Sequence, residues 1–438
     1  MHGRTHRWAA LLCGATLLLA GAARAADSEA GSFSGVTEQR PQECPIKAQS
    51  TAMARAMARI CNAERVLLGL VSGHERKTPS LSGPVPLTRL SLGEIGGWIE
   101  LPVDVNGQRG RWLIDTGSTR HIVSRAFAQR HGLAARASVQ AHTALGPVQG
   151  AEVALPALQI GAHTHAGQTA LRLDDLGALL GAAGEGLDGI LGVPLLAGVS
   201  LDLDLVGWTL VIHEAVPADC PAGTLTLPLG MHRGLPVLAL RVHQGPPEAL
   251  LLDTGNPAAV VRFAADEADA AEPGLPLAGG ARLALAPRVA VGAWQRTDVP
   301  VLRLHAPGLQ RALAPQVVGL VGTALLDGTR WRLELDRQRA CVDSTMDGAA
   351  VGTPGGFGLT LVQRADGLFI DTVLPGGPAQ AAGLQAGDAV QRWAGGGVDG
   401  PLRALWARVQ GQDEVELQAG QGMRMLRLRR AHFLPRLP

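Results

Sequence analysis

The sequence predicts a mainly β chain, with two homologous lobes forming a cleft and a small α+β domain behind them. Three observations predict it. Leu113-Ile114-Asp115-Thr116-Gly117-Ser118 returns as Leu251-Leu252-Asp253-Thr254-Gly255-Asn256, and each copy is followed by an apolar pair, Ile122-Val123 or Val260-Val261. Later landmarks repeat almost in register: the Asp-Thr-Gly copies lie 138 residues apart, the Ile160-Gly161 and Val291-Gly292 turns 131, and Gly189 and Gly319 130. That period is the size of a domain, not of a solenoid repeat. The 57 Gly and 28 Pro in an otherwise apolar chain suit short strands joined by turns.

The chain has 438 residues, enough for several cores. A net charge of +1 and the lack of a basic block with interleaved aromatics argue against nucleic acid as a partner. Arg4, His6 and Arg7 precede an apolar run from Trp8 to Ala23, and Ala23-Arg24-Ala25 offers small residues for cleavage before Ala26. Residues 1–25 therefore read as an export signal. The run is short for a membrane anchor, which needs about 20 apolar residues. A periplasmic or secreted protein without a stable membrane span is expected.

Cys44, Cys61, Cys220 and Cys341 remain after cleavage. An even number in an exported chain implies two disulfides with three pairings open. We expect Cys44–Cys61 and Cys220–Cys341. The latter joins the connection after the first repeat to the last strand of the second.

Residues 26–86 form an N-terminal extension. Met53, Met57, Ile60 and Leu67 give 48–70 helical spacing, and 71–86 are rich in Pro, Ser and Gly. Lobe one spans 87–216. Ile99, Leu101, Val103 and Val105 alternate, Asn106-Gly107 makes a hairpin turn, and the next strand runs into Asp115. Strands follow near 153–160 and 164–173, then Asp188-Gly189-Ile190-Leu191-Gly192, then 201–205 and 208–212. Lobe two, 217–346, repeats the order. Between Asp-Thr-Gly and the turn it is shorter by seven residues, and the surplus in lobe one falls around 141–150. A further module covers 354–433, with a strand at 368–373, short helices at 378–384 and 402–409, and a closing hairpin at 415–428.

Two aspartates held close together suit acid–base work. Like charges a few Å apart cannot both ionise, so the pair keeps one proton; one member can take a proton from water while the other donates to a carbonyl oxygen. Gly117 and Gly255 let backbone approach the carboxylates, and Thr116 and Thr254 can hydrogen-bond across the two loops. Ser118 and Asn256 can each donate to an aspartate oxygen.

With these motifs in view, residues 93–345 resemble bilobal aspartic peptidases with lobes like those of retroviral-type proteases. The resemblance rests on Asp115-Thr116-Gly117 with Ile190-Leu191-Gly192, and on Asp253-Thr254-Gly255 with Leu320-Val321-Gly322. It implies two β-barrel lobes and a peptide or protein substrate hydrolysed by water that Asp115 and Asp253 activate. It also implies a hairpin flap, for which Ala144, Leu145 and Gly146 are the candidates. No cofactor, metal or nucleotide is implied. Two features depart from the family. Asn256, followed by Pro257, stands where Ser, Thr or Ala is usual. The chain has no tyrosine, so the flap Tyr of pepsin-like enzymes is missing.

The last module resembles PDZ domains of the bacterial periplasmic kind through Phe357-Gly358-Leu359, Gly377-Pro378-Ala379, Ala382-Gly383-Leu384 and Gly387-Asp388. The resemblance implies that a peptide adds as a strand, its terminal carboxylate held by the Phe357–Leu359 loop. The competing reading of the whole chain is a catalytically inactive adaptor on a protease-like scaffold.

Weaker candidates are set aside. His163 and His165, with His142, read as a solvated strand face, and Arg120-His121 and Asp174-Asp175 as surface loops. Asp202 and Asp204 share a strand face, but their repeat equivalents are Arg332 and Glu334. The Gly-rich runs 181–186 and 395–397 lack the Lys and Ser of a phosphate loop.

Overall fold

The computed structural model describes residues 17–18 and 83–437, except 92–95, 144–145, 181–183, 265–273, 278–280, 307–308, 311–312, 314–315, 344–347, 352–355, 365, 401 and 421. The expected signal peptide (apart from 17–18), the 48–70 helix, the Cys44–Cys61 pair and the flap residues Ala144 and Leu145 lie outside the described residues.

The chain is mainly β, as its alternating patterns require. In lobe one, Gly97–Val105 turns through Asn106-Gly107 into Gln108–Ile114, which ends directly before Asp115. Gln108–Ile114 then pairs in parallel with Gly189–Leu191, Ile114 opposite Leu191. His121–Ser124 pairs antiparallel to the other side of Gly189–Leu191. Lobe two repeats the arrangement. Leu235–Val242 and Pro247–Leu252 lead to Asp253, Leu252 faces Val321 of the parallel Gly319–Val321, and Val260–Phe263 closes the other side. The three-residue inner strands are buried on both faces. This accounts for their uninterrupted apolar sequence.

The lobes meet in a six-stranded sheet. Its centre is the antiparallel pairing of Ser200–Asp204 with Arg330–Glu334, in which Asp202 lies opposite Arg332. These are the repeat-equivalent strands, so the two copies pair with each other about their own symmetry axis. Val85–Pro86, expected as the end of a linker, instead pairs with Thr209–His213 at the sheet's edge. Thr224–Pro228 pairs with Arg339–Asp343, and the Cys220–Cys341 disulfide joins the connection to that last strand, as expected. One continuous apolar core, including Ile99, Trp112, Leu201, Leu250, Trp294 and Leu333, runs through both lobes beneath this sheet.

Residues 135–154 form the hairpin that the longer lobe one anticipated: Ala135–Thr143 pairs antiparallel with Gly146–Ala154, Thr143 opposite Gly146. Leu17–Leu18 pairs with its outer strand.

The C-terminal domain has its own core, built on Phe357, Leu361, Ile370, Trp393, Leu405 and Trp406. Leu359–Arg364 ends its sheet, an edge strand. The helix Leu402–Ala407 lies against Thr88–Ser91 of lobe one. Lobe two holds the domain at both ends. On the way in, Thr297 N–H donates to Ala349 O at 3.1 Å and Val351 N–H to Thr297 O at 3.0 Å. The buried Arg296 guanidinium donates to the carbonyls of Ala349 and Ala350. On the way out, Ala431 exchanges two backbone hydrogen bonds with Gly356, and Leu285 N–H and C=O bond to Pro435 and Leu437.

Candidate active site

The two Asp-Thr-Gly loops are set by identical backbone frames. Asp115 N–H donates to Leu191 O at 2.9 Å, and Asp253 N–H to Val321 O at 2.8 Å. Ser118 N–H and Asn256 N–H close turns onto Asp115 O and Asp253 O. Val193 N–H and Thr323 N–H then bond to Ser118 O and Asn256 O, both at 2.9 Å. The repeated Gly-rich motif is thus the anchor of each aspartate loop, and this explains why both motifs recur in register.

The threonines join the loops as the sequence suggested. Thr116 N–H donates to Thr254 Oγ1 and Thr254 N–H to Thr116 Oγ1, both at 3.0 Å. Each hydroxyl passes its own proton to the other lobe: Thr116 to Leu252 O at 2.7 Å and Thr254 to Ile114 O at 2.8 Å. All four bonds are buried, where an unmatched donor or acceptor is expensive. The lock therefore fixes the spacing of the loops.

The glycines leave room for the carboxylates. A β-carbon on Gly117 would sit 2.4 Å from Asp253 Oδ1, and one on Gly255 would sit 2.5 Å from Asp115 Cγ. Each carboxylate thus packs on the opposite loop, and a side chain at either glycine would push the pair apart. Gly117 N–H and Gly255 N–H donate to Asp115 Oδ1 and Asp253 Oδ1 at 2.8 and 2.9 Å. Asp115 Oδ2 receives no donor from the backbone or from a neutral side chain; it faces Asp253. A hydrogen bond between two carboxylates exists only if one holds a proton. Burial, then the Asp253 charge and the bond to Asp253, push the Asp115 carboxyl well above the ordinary carboxylate range, while the glycine N–H groups pull the other way. The titration belongs to the pair.

Ser118 and Asn256 do not play the part expected of them. Ser118 Oγ donates to Arg120 O at 2.7 Å. Asn256 Oδ1 accepts from Ala258 N–H at 3.1 Å, and its Nδ2 is buried without a partner. Both side chains fold back onto their own turn, two residues on. In lobe two Pro257 has no N–H, so Ala258 is the next backbone donor. Their side chains shape the loops and bond to their own backbone, not to the aspartate carboxylates.

Residues 101–195 match the family model described as aspartyl protease, and residues 348–392 that described as PDZ domain. The chain carries an aspartyl protease domain and a PDZ domain. The protease match falls within lobe one, and no curated protein matches the chain. The PDZ domain presents Phe357 and Leu359 buried, with the Arg430 guanidinium 4.5 Å over the Phe357 ring. Phe357 O and Gly358 O accept from Ala379 and Leu374 N–H, which sets the conformation of the expected carboxylate loop.

Three histidines contradict their sequence reading. His121, His163 and His165 are buried, not solvated. His121 Nδ1 accepts from Gly192 N–H at 3.2 Å, so its proton lies on Nε2, 3.0 Å from His165 Nε2. Burial first, and the neighbouring imidazole second, lower His121 to about 3 and His165 to about 4. Alternation alone could not reveal this, because the second layer over the His163–His165 strand comes from a segment 44 residues away. Among the described residues no cluster of His, Cys, Asp and Glu is arranged to hold a metal ion, and no helix is long and apolar enough to cross a membrane.

A cavity of about 520 Å³ lies elsewhere, on the six-stranded sheet between the lobes, lined by Asp202, Asp204, Arg330, Arg332 and Asp343 among others. Its charges answer one another. Arg332 forks onto Asp202 at 2.5 and 2.8 Å, and Arg330 reaches both Asp204 and Asp343. Asp202 and Asp204 are therefore ion-pair partners between the lobes.

Proposed function

We propose that the chain is an exported aspartic endopeptidase, in which Asp115 and Asp253 share one proton and activate water for attack on a peptide carbonyl. The observation that carries this reading is the facing of the two carboxylates across the threonine lock, each packed on the other loop's glycine. In the resting pair, one carboxylate is the base for water and the protonated partner is the acid for the carbonyl oxygen. The raised carboxyl keeps that proton in place at pH values where an isolated aspartate has lost it, so activity is expected to extend from acid into weakly acidic solution. The hairpin 135–154 would serve as the flap, and the PDZ domain would take a peptide C-terminus at its edge strand. No metal or cofactor is needed for either step. We place the mature chain, from Ala26, in the periplasm or outside the cell.

The test is a broad peptide library incubated with the mature chain from pH 3 to 8. Cleavage that disappears in the Asp115→Asn, Asp253→Asn double variant supports the reading. Cleavage that survives in the variant removes the dyad from the mechanism. A wild-type chain that cleaves nothing but still binds peptides favours the adaptor.

A further inference from the structure

We propose that Trp98 is a positioning residue for the dyad, a lobe-one indole that sets the lobe-two aspartate loop and makes the two aspartates inequivalent. The proposal rests on the endopeptidase reading of the same site and adds a residue to it. Trp98 lies at the start of Gly97–Val105 and is 1% exposed. Its Nε1–H donates to Gly255 O at 2.7 Å, a buried bond between residues 157 apart. Gly255 is the glycine on which the Asp115 carboxylate rests, and its N–H holds Asp253 Oδ1. A donor that fixes the Gly255 carbonyl therefore fixes the plane against which both carboxylates are placed.

The surroundings make the contact a strut, not a chance approach. A β-carbon on Gly96 would fall 1.9 Å from Pro257 O, so lobe-one backbone lies flush against the turn after Asn256. Thr323 Oγ1 donates to Gly97 O from the helix that follows the lobe-two anchor glycine. Leu90 and Leu113 pack beside the indole in the core beneath the lobe-one hairpin.

The repeat sharpens the inference. In strand register Glu100 faces Leu113 and Val237 faces Leu251, each two residues before its aspartate, so the lobe-two counterpart of Trp98 is Leu235. Leucine has no side-chain donor, and no described side chain donates to Gly117 O. The residue equivalent to Thr323 is Val193, which has no hydroxyl. Only the Asp253 loop is gripped from the other lobe in this way. A dyad built from two copies of one loop thus acquires a fixed and a freer half.

Trp98→Phe keeps an aromatic ring and removes the donor. We expect kcat for a cleaved peptide to fall on the order of tenfold with KM little changed, as for loss of one buried hydrogen bond. The pH profile of kcat should move by about half a unit or more, since the pair's titration follows its spacing. Trp98→His, which restores a ring N–H, should recover part of the loss. Trp393→Phe removes a similar buried indole donor, 2.8 Å from Leu405 O in the PDZ domain, and should leave the profile unmoved.

A second readout needs no turnover: NMR titration of ¹³C-carboxyl-labelled aspartates, with the dyad signals assigned from the Asp115→Asn and Asp253→Asn variants. A dyad titration that shifts in Trp98→Phe but not in Trp393→Phe supports the proposal. Unchanged dyad titrations in a folded Trp98→Phe chain overturn it. If the wild type hydrolyses nothing, the endopeptidase reading fails on that result, and the titration alone decides the role of Trp98.

Discussion

Lobe one and lobe two hold their aspartates with the same backbone and different side chains. In lobe two Gly322 N–H donates to the carbonyl of Ala259 at 3.0 Å. At the equivalent place in lobe one, Gly192 N–H donates to the imidazole of His121, six residues after Asp115 as Ala259 is six after Asp253. A main-chain acceptor works at any pH; an imidazole nitrogen accepts only while unprotonated. The copies therefore share their geometry but not their response to acid. Bonds that both loops need are written in the backbone and the paired threonines, and what distinguishes the loops is written in single side chains.

The most severe way to break the comparison is to remove one carboxylate at a time. Asp115→Asn and Asp253→Asn should each lower kcat by about a thousandfold, the middle of the range for a lost acid–base partner. Single-turnover assays would show whether the two losses are equal; a variant retaining a tenth of wild-type activity would contradict a shared-proton pair.

Acid comes next. His121 and His165 titrate near 6.5 in an unfolded chain but only near 3 and 4 when folded. Between those limits the unfolded state binds protons that the folded state refuses. Their contribution is complete above about pH 7 and is lost as pH falls toward 4. For His165 the loss is about 3 kcal/mol. Urea melts at stepped pH should record that slope. His165→Gln, whose oxygen can accept the His121 proton without titrating, should flatten it. An equally steep slope in that variant would place the acid sensitivity elsewhere.

The threonine lock is where the lobes should behave alike. Thr116→Ala and Thr254→Ala each delete two buried bonds and should cost about 2 kcal/mol in chemical denaturation. The double variant should cost less than the sum, because once one hydroxyl is gone the loops can part and the other hydroxyl's two bonds across the same gap are already weakened. Additive losses would mean that the hydroxyls act independently. The smallest effect is expected at Asn256: Asn256→Ser should change stability by less than about 1 kcal/mol, since Nδ2 bonds to nothing and a serine oxygen can still cap Ala258. A larger loss would reveal a contact of that amide.

Much of the frame was legible in the sequence because it obeys repetition. The Asp-Thr-Gly copies, their anchor glycines and the strand order follow from matched offsets. The threonine lock follows from chemistry: two hydroxyl-bearing residues beside two converging loops. Contacts that depend on which layer covers a strand were not legible. His121 reads as a loop residue until the His163–His165 strand is folded over it. Trp98, in an alternating apolar run, looks like any core aromatic, and only the second lobe's carbonyl gives its N–H a task. Ser118 and Asn256 were assigned to the aspartates by proximity in sequence. A short polar side chain at a turn finds its own backbone first.

Lobe two grips the PDZ domain at two points, Thr297 on entry and Leu285 on exit, so the domain is not a weight on a string. Tethered once, a binding module searches a sphere whose radius is its linker. Tethered twice, it keeps one bearing, and its edge strand Leu359–Arg364 stands at a set distance from Asp115 and Asp253. A chain end seated on that strand would have its upstream residues counted out toward the dyad as if along a ruler, and the graduation would be fixed by seven residues of tail, 431–437.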